Sequence, residues 1–144
     1  MLIATSGFFI FFDQWLKFLA RNFPEARISP FPWFGWEYFA NPGIAFSLPF
    51  PNLLLIILTP FILAWLFVAI FFKNTAVTNN LSAYNLQLRL GVCLIFSGAL
   101  SNLIDRILFA ATIDYLRIFT SVINLADVMI VLGGLLVLLK WKKK

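Results

Sequence analysis

Four apolar runs, 1–20, 53–72, 88–108 and 122–139, fill over half of this chain, and each approaches the roughly 20 residues a helix needs to cross hydrocarbon. A soluble domain of 144 residues could not hide a composition that is 62% hydrophobic and only 12% charged, so lipid is the expected solvent. The first run lacks a basic start and a small-residue cleavage site, and it carries Asp13 and Lys17 within it. It reads as a retained helix and not as a removable leader.

Charge sets the orientation. Four of the eleven basic residues fall in the tail Lys140-Trp141-Lys142-Lys143-Lys144, which the positive-inside rule assigns to the cytoplasm. Four crossings return the amino terminus to the same side, and Lys73, Arg89 and the polar segment 74–87 fall inside as well. Segments 21–52 and 109–121 are then extracytoplasmic. The net charge of +5 is a juxtamembrane cluster on an apolar chain, which speaks against nucleic acid as a partner.

The chain contains no histidine and a single cysteine, Cys93, inside an apolar run. That removes Ser-His-Asp and Cys-His chemistry, an internal disulfide and the usual zinc sets; no metal is expected, and no cofactor is expected either. Segment 21–51 holds six of the seven prolines, interleaved with aromatic residues. Within it, Trp33-Phe34-Gly35-Trp36-Glu37-Tyr38-Phe39 has the composition of a short interfacial strand. Pro60 lies inside the second run, where membrane helices tolerate it.

The acids are the informative residues, because there are only six and an ionisable group at membrane depth is costly unless it is paired or functional. Asp13 stands about 18 Å up the first helix at 1.5 Å per residue. Asp105 lies near the outer end of the third run, Asp114 in the short outer connection and Asp127 one or two turns into the fourth run. All four therefore belong to the outer half. Asp13 and Lys17, at i,i+4, share a helix face and can neutralise each other, with a direct part in chemistry as the alternative. Asn102, Asp105 and Arg106 fall at i, i+3 and i+4, where Asp and Arg could simply pair, and Asn124 and Asp127 are again i,i+3. Three polar faces at matching depth suggest one shared site.

A lone outer Asp is ordinarily a solvated acid. The connection from Asp105 to Asp127 is short, however, so Asp114 and Asp127 can meet above the bundle. Two neighbouring carboxylates share a proton, and one can then activate a water while the other polarises a carbonyl. Two readings from other classes stand beside hydrolysis. One is a small transporter or proton-relay subunit, since membrane acids with an Arg also mark proton paths; the other is a non-catalytic assembly subunit whose polar faces only join helices.

Five motifs in order carry a resemblance to the lipoprotein signal peptidases, or signal peptidase II. Asp13-Gln14-Trp15-Leu16-Lys17 resembles that family's D-Q-x-x-K, and Asn41-Pro42-Gly43-Ile44-Ala45-Phe46-Ser47 its N-x-G-x-A-F-[GS]. Ser97-Gly98-Ala99-Leu100-Ser101-Asn102-Leu103-Ile104-Asp105-Arg106 is similar to G-G-A-x-G-N-x-x-D-R. Thr112-Ile113-Asp114-Tyr115 resembles V-V-D-[FY], and Ile123-Asn124-Leu125-Ala126-Asp127 resembles F-N-x-A-D.

The resemblance implies an all-α membrane fold of one domain, 1–144: a four-transmembrane-helix bundle with a small extracytoplasmic β-cradle and an interfacial segment. It implies a bacterial cytoplasmic (inner) membrane enzyme with both termini inside and its active site outside. The catalytic aspartates would be Asp114 and Asp127. Asn41, Asn102, Arg106 and Asn124 would line the substrate site, and Asp13, Lys17 and Asp105 would support it. The implied substrate is a prolipoprotein carrying diacylglycerol on its cysteine, cut just before that residue by a monomer bathed in membrane lipids. Two departures stand out. Ser97 and Ser101 replace the usual glycines of the third motif, where helices approach closely. The interval from Asp114 to Asp127 is short, leaving Tyr115, Arg117 and Phe119 in a trimmed loop, with Phe119 read as an interfacial anchor.

Overall fold

The computed structural model describes residues 2–44, 48–71 and 86–141. Ala45, Phe46 and Ser47 of the second motif, Lys73, most of the polar segment 74–87 and Lys142 to the chain end lie outside the described residues. The elements run α1 (Leu2–Asn22), β1 (Ile28–Phe31), β2 (Phe34–Asn41), α2 (Asn52–Phe71), α3 (Leu86–Phe109), β3 (Thr112–Ile118), β4 (Ser121–Ile123) and α4 (Leu125–Trp141).

Each expected apolar run contains a helix, but only α3 is both long and apolar enough to cross a membrane on length and composition among the described residues. The apolar parts of α2 and α4, Asn52–Val68 and Leu125–Leu139, are shorter. α1 has 21 residues, yet Asp13, Gln14, Lys17 and Arg21 interrupt its hydropathy. The fourth run was expected to be helical from residue 122. Its first residues instead belong to β4, because Val122 and Ile123 are β-branched and, with Ser121, pair with β3 before Asn124 opens the helix.

Burial is inverted relative to a soluble protein. Phe11 and Phe61 are 70% and 71% exposed on the outside of α1 and α2, whereas Asp13, Lys17, Asp105 and Asn124 are buried. An apolar rim around a polar interior suits hydrocarbon as the surrounding medium.

The helices pack through small residues. A Cβ on Gly98 would collide with the Ala126 carbonyl of α4, and Gly91 and Gly133 face each other's carbonyl oxygens. α3 and α4 are therefore in backbone contact along one seam. Ser97 fits beside that seam without widening it, because its hydroxyl donates to the Cys93 carbonyl one turn back, at 2.8 Å. Cys93 is buried and its sulfur lies 2.7 Å from Ser6 Oγ of α1.

The outer connections are more ordered than loops. Strands β1 to β4 form one antiparallel sheet in sequence order. β2 carries an extra residue between Trp36 and Phe39 where β3 advances only from Leu116 to Asp114, a bulge that bends the sheet. Ile113 and Tyr115 of β3 seat it on Ala20 and Leu16 of α1, with Trp36 against the Tyr115 ring at 5.0 Å. Phe119 at the β3–β4 tip is 68% exposed beside Trp33. α3 passes into β3 within two residues because Ala110 takes a left-handed conformation (φ 56°) with its N–H on the Arg106 carbonyl.

Gly98→Val is expected to lower stability by about 1–3 kcal/mol through overpacking of the α3–α4 seam. Gly7→Val, where a Cβ meets nothing within 4 Å, is the control. Thermal unfolding in detergent distinguishes them, and equal midpoints would remove the seam from the account.

Candidate active site

A buried ammonium organises the polar interior. Lys17 Nζ lies 2.8 Å from Asp13 Oδ2, one turn before it on α1, and 2.8 Å from Asp105 Oδ2 on α3. It also donates to Asn102 Oδ1 at 2.9 Å. The expected Asp13–Lys17 pair is present. Asp105 pairs with Lys17, across the bundle, and not with the adjacent Arg106, which points elsewhere and donates to the Gly43 carbonyl at 3.3 Å. Consecutive helix residues diverge by about 100°, so Asp105 and Arg106 cannot share one face.

An ammonium only donates, and this fixes the amides around it. Asn102 must turn Oδ1 to Lys17, which leaves Nδ2 to donate to Asp127 Oδ1 at 2.9 Å. Asn124 Nδ2 donates to Asn102 Oδ1 at 3.2 Å and to Asp114 Oδ1 at 2.6 Å. Asn124 Oδ1 is then free to accept from the Asp127 N–H at 2.8 Å, while Asp127 Oδ2 reaches back to the Asn124 N–H at 3.4 Å. This reciprocal pair is a capping box. It corrects two expectations: Asn124 precedes α4 as its cap and does not sit in a helical face, and Asp127 lies in the first turn and not one or two turns in.

Asp114 arrives from the sheet. Asn41 is paired with Thr112 and Asp114 with Phe39, so Asn41 and Asp114 are diagonal neighbours on one face. Asn41 Nδ2 donates to Asp114 Oδ2 at 3.1 Å, and its Oδ1 accepts from the Gly43 N–H at 2.9 Å, an Asx turn that opens the Asn-Pro-Gly segment. Asp105 Oδ2 also accepts from the Ile113 N–H at 3.1 Å, which holds the backbone beside Asp114. Asp114 and Asp127 thus meet in one hydrogen-bond network, each oriented by asparagine amides. They do not stand on opposite sides of the bundle.

Asp114 is buried, whereas Asp127 is half-buried. Burial first, and then the Asp127 carboxylate, push Asp114 from the ordinary carboxylate range up to about 7, against the hydrogen bonds from Asn41 and Asn124. Such a pair can keep one proton near neutrality, so that one member accepts a proton while the other donates one.

Three residues outside the expected site belong to this network. Gln14 Nε2 contacts Ser101 and Asp105 Oδ1, the latter at 2.9 Å. Ser101 Oγ donates to Asp13 Oδ2 at 2.6 Å, so the residue that replaces a usual glycine completes the carboxylate's coordination. Tyr115 is wholly buried and donates to Asp13 Oδ1 at 2.8 Å. Burial pushes its phenol above the usual tyrosine range, so it stays a donor. Its place directly after Asp114, closing the motif Thr112-Ile113-Asp114-Tyr115, is the signal the sequence offers for it.

Lys17→Met is expected to leave Asp13 and Asp105 facing each other without a cation, at a cost of about 3–5 kcal/mol. Loss of folded protein on size-exclusion chromatography in detergent would show it; a wild-type melting curve would contradict the central place given to Lys17.

The family described as "Signal peptidase (SPase) II" matches residues 5–142. A lipoprotein signal peptidase of Bartonella henselae is 36% identical and the match covers 99% of this chain and 89% of that protein. One from Caldanaerobacter subterraneus subsp. tengcongensis is 30% identical, covering 94% and 92%. A solved bacterial membrane enzyme, 25% identical, superposes with a TM-score of 0.83 over 99% of this chain and 87% of its own. Sequence and architecture agree along nearly the whole chain, which belongs to the signal peptidase II family.

Proposed function

We propose that this chain is an aspartic endopeptidase of the bacterial inner membrane that removes the signal peptide from diacylglyceryl-modified prolipoproteins, cutting just before the lipidated cysteine. The observation that carries the proposal is Asn124, whose side chain donates to Asp114 while its backbone and side chain box in Asp127. A carboxyl pair so bridged, partly open to water through Asp127, is equipped for hydrolysis without metal or covalent intermediate.

One carboxylate takes a proton from a water as its oxygen attacks the scissile carbonyl, and the protonated partner gives its hydrogen to the carbonyl oxygen. Collapse of the resulting gem-diol returns one proton to the leaving amine and leaves the pair sharing one again. Asn41, Asn102 and Asn124 act by aiming the carboxylates, since their amides are engaged there. Arg106, half-buried and bonded through its side chain to the Gly43 carbonyl among the described residues, is placed to offer its guanidinium to the substrate backbone.

All four helices cross the membrane in this reading as one domain, both termini lie inside, and the sheet rests on the outer surface. The ends of α1 and α3 and the start of α4 meet the sheet, and the basic tail follows the opposite end of α4. The acyl chains of the substrate stay in lipid beside the apolar helix faces, a single copy suffices, and neither cofactor nor nucleic acid takes part. A proton-relay role finds less support, because the acids gather at one end.

Asp114→Asn and Asp127→Asn should each lower cleavage of a diacylglyceryl-modified precursor by at least about 100-fold while the protein still folds. The unmodified precursor should resist the wild type; full activity in either variant would sink the proposal. Activity requires one shared proton, so it should fall as pH rises through about 7, where Asp114 ionises beside Asp127. A rate that is flat from pH 6 to 9 would contradict this assignment.

A further inference from the structure

Asp13 is an unusual carboxylate for a helix that faces lipid, because four groups from four elements surround it. Lys17 of α1 and Ser101 of α3 bind Oδ2, at 2.8 and 2.6 Å. Tyr115 of β3 and the Ala126 N–H of α4 bind Oδ1, at 2.8 and 3.3 Å. Asp13 therefore meets both elements that carry the acid pair, β3 through Tyr115 and α4 through Ala126.

The start of α4 shows what this accomplishes. The first N–H groups of a helix have no partner within it. Here the Asp127 N–H goes to Asn124 Oδ1 and the Val128 N–H to the Asn124 carbonyl. The two before them leave the helix altogether: Ala126 N–H reaches Asp13, and Leu125 N–H reaches the Tyr115 hydroxyl at 3.1 Å. Tyr115 Oη thus donates to Asp13 in a buried contact and accepts from Leu125 in a part-buried one. Its neighbour in sequence is Asp114, and two residues beyond Leu125 lies Asp127. One hydroxyl ties the strand that carries the first acid to the helix turn that carries the second.

We propose that Tyr115 is a positioning residue for peptide hydrolysis: its hydroxyl, clamped between Asp13 and the Leu125 N–H, sets the start of α4 against β3 and so the spacing of Asp114 and Asp127. The proposal rests on the acid-pair reading above. The ring has separate duties, packing on Trp36 and Ala20, so its hydroxyl can be removed without emptying the core. Tyr115→Phe leaves Leu125 N–H without a partner and frees one side of Asp13, and the α4 start relaxes away from β3.

The test compares wild type, Tyr115→Phe, Asp114→Asn and Asp127→Asn on a diacylglyceryl-modified precursor in detergent. Tyr115→Phe is expected to fold, to lower kcat about tenfold and to leave KM within about twofold. Its alkaline limb should move to lower pH, because an Asp127 that has drifted away raises Asp114 less. The other charges near the pair, Asp13 and Lys17 on α1 and Asp105 and Arg106 on α3, are unchanged in this variant. A purely structural role would reduce the active fraction and leave the limb in place, which overturns the proposal, as does a wild-type kcat.

Leu125→Pro cuts the same contact from the other side at a first helical position that suits proline, and should give the same kcat loss and limb shift. It decides the matter if Tyr115→Phe fails to fold, and wild-type kinetics in it would equally overturn the proposal. Activity in the Asp114→Asn or Asp127→Asn enzyme would instead defeat the acid-pair reading itself.

Discussion

The Lys17 ammonium, lodged between Asp13 and Asp105, is the constraint from which the rest of the polar interior follows. Its worth is poorly expressed as a net salt-bridge energy, because taking three charges out of water offsets most of their attraction. Its force is directional. A group that can only donate turns Asn102 one way, Asn102 then turns its amide to Asp127, and Asn124 faces both Asn102 and Asp114. The orientation of both proposed catalytic acids is therefore inherited from a residue that touches neither of them.

In the proposed reading, membrane depth explains why such an arrangement persists. In water, a loosened carboxylate would find solvent, and alternative side-chain positions would cost little. Among apolar helix faces it finds none, so leaving the network is penalised for every member. The same logic bears on the sheet in that reading. Among the described residues β1 and β4 are the edge strands, and backbone groups on such edges are ones that hydrocarbon cannot satisfy, which fits a sheet resting at the membrane surface over the ends of α1 and α3.

Much of this was readable from the chain. The apolar runs located the four helices, the i,i+4 spacing of Asp13 and Lys17 announced their pair, and the scarcity of acids singled out Asp105, Asp114 and Asp127. What stayed hidden is long-range or belongs to boundaries. Lys17 meets Asp105 across 88 positions, which no local spacing encodes. Asn124 looked helical because the apolar run 122–139 is continuous through strand and helix alike, and hydropathy alone does not separate a buried strand from a helix start. Ser101 looked like an intrusion where a glycine is usual, yet its hydroxyl is a ligand of Asp13. Tyr115 stands in the motif beside Asp114, but nothing local says that its hydroxyl is used, since an aromatic residue in an apolar stretch is ordinarily core.

Stability and chemistry share these bonds to an unusual degree. A carboxyl held near 7 by burial and by a second carboxylate is a local destabilisation, since its charged form is disfavoured in the folded chain at higher pH. It is offset close by, through the capping box at α4, the Asx turn at Asn41 and the Asp105 contact to the Ile113 N–H. Each of these stabilising features also aims or anchors an acid of the pair. Changes that weaken the fold here should therefore rarely be neutral for the acid pair, and changes that relieve the strained pair should strengthen the fold. The opposed tendencies meet at Asn124, which caps a helix with its oxygen and holds Asp114 with its nitrogen. Asparagine is a favoured cap that carries its acceptor and its donors on separate atoms, so one atom can cap the helix while the other holds the carboxyl; aspartate could keep the helix there but would surrender the donor to Asp114.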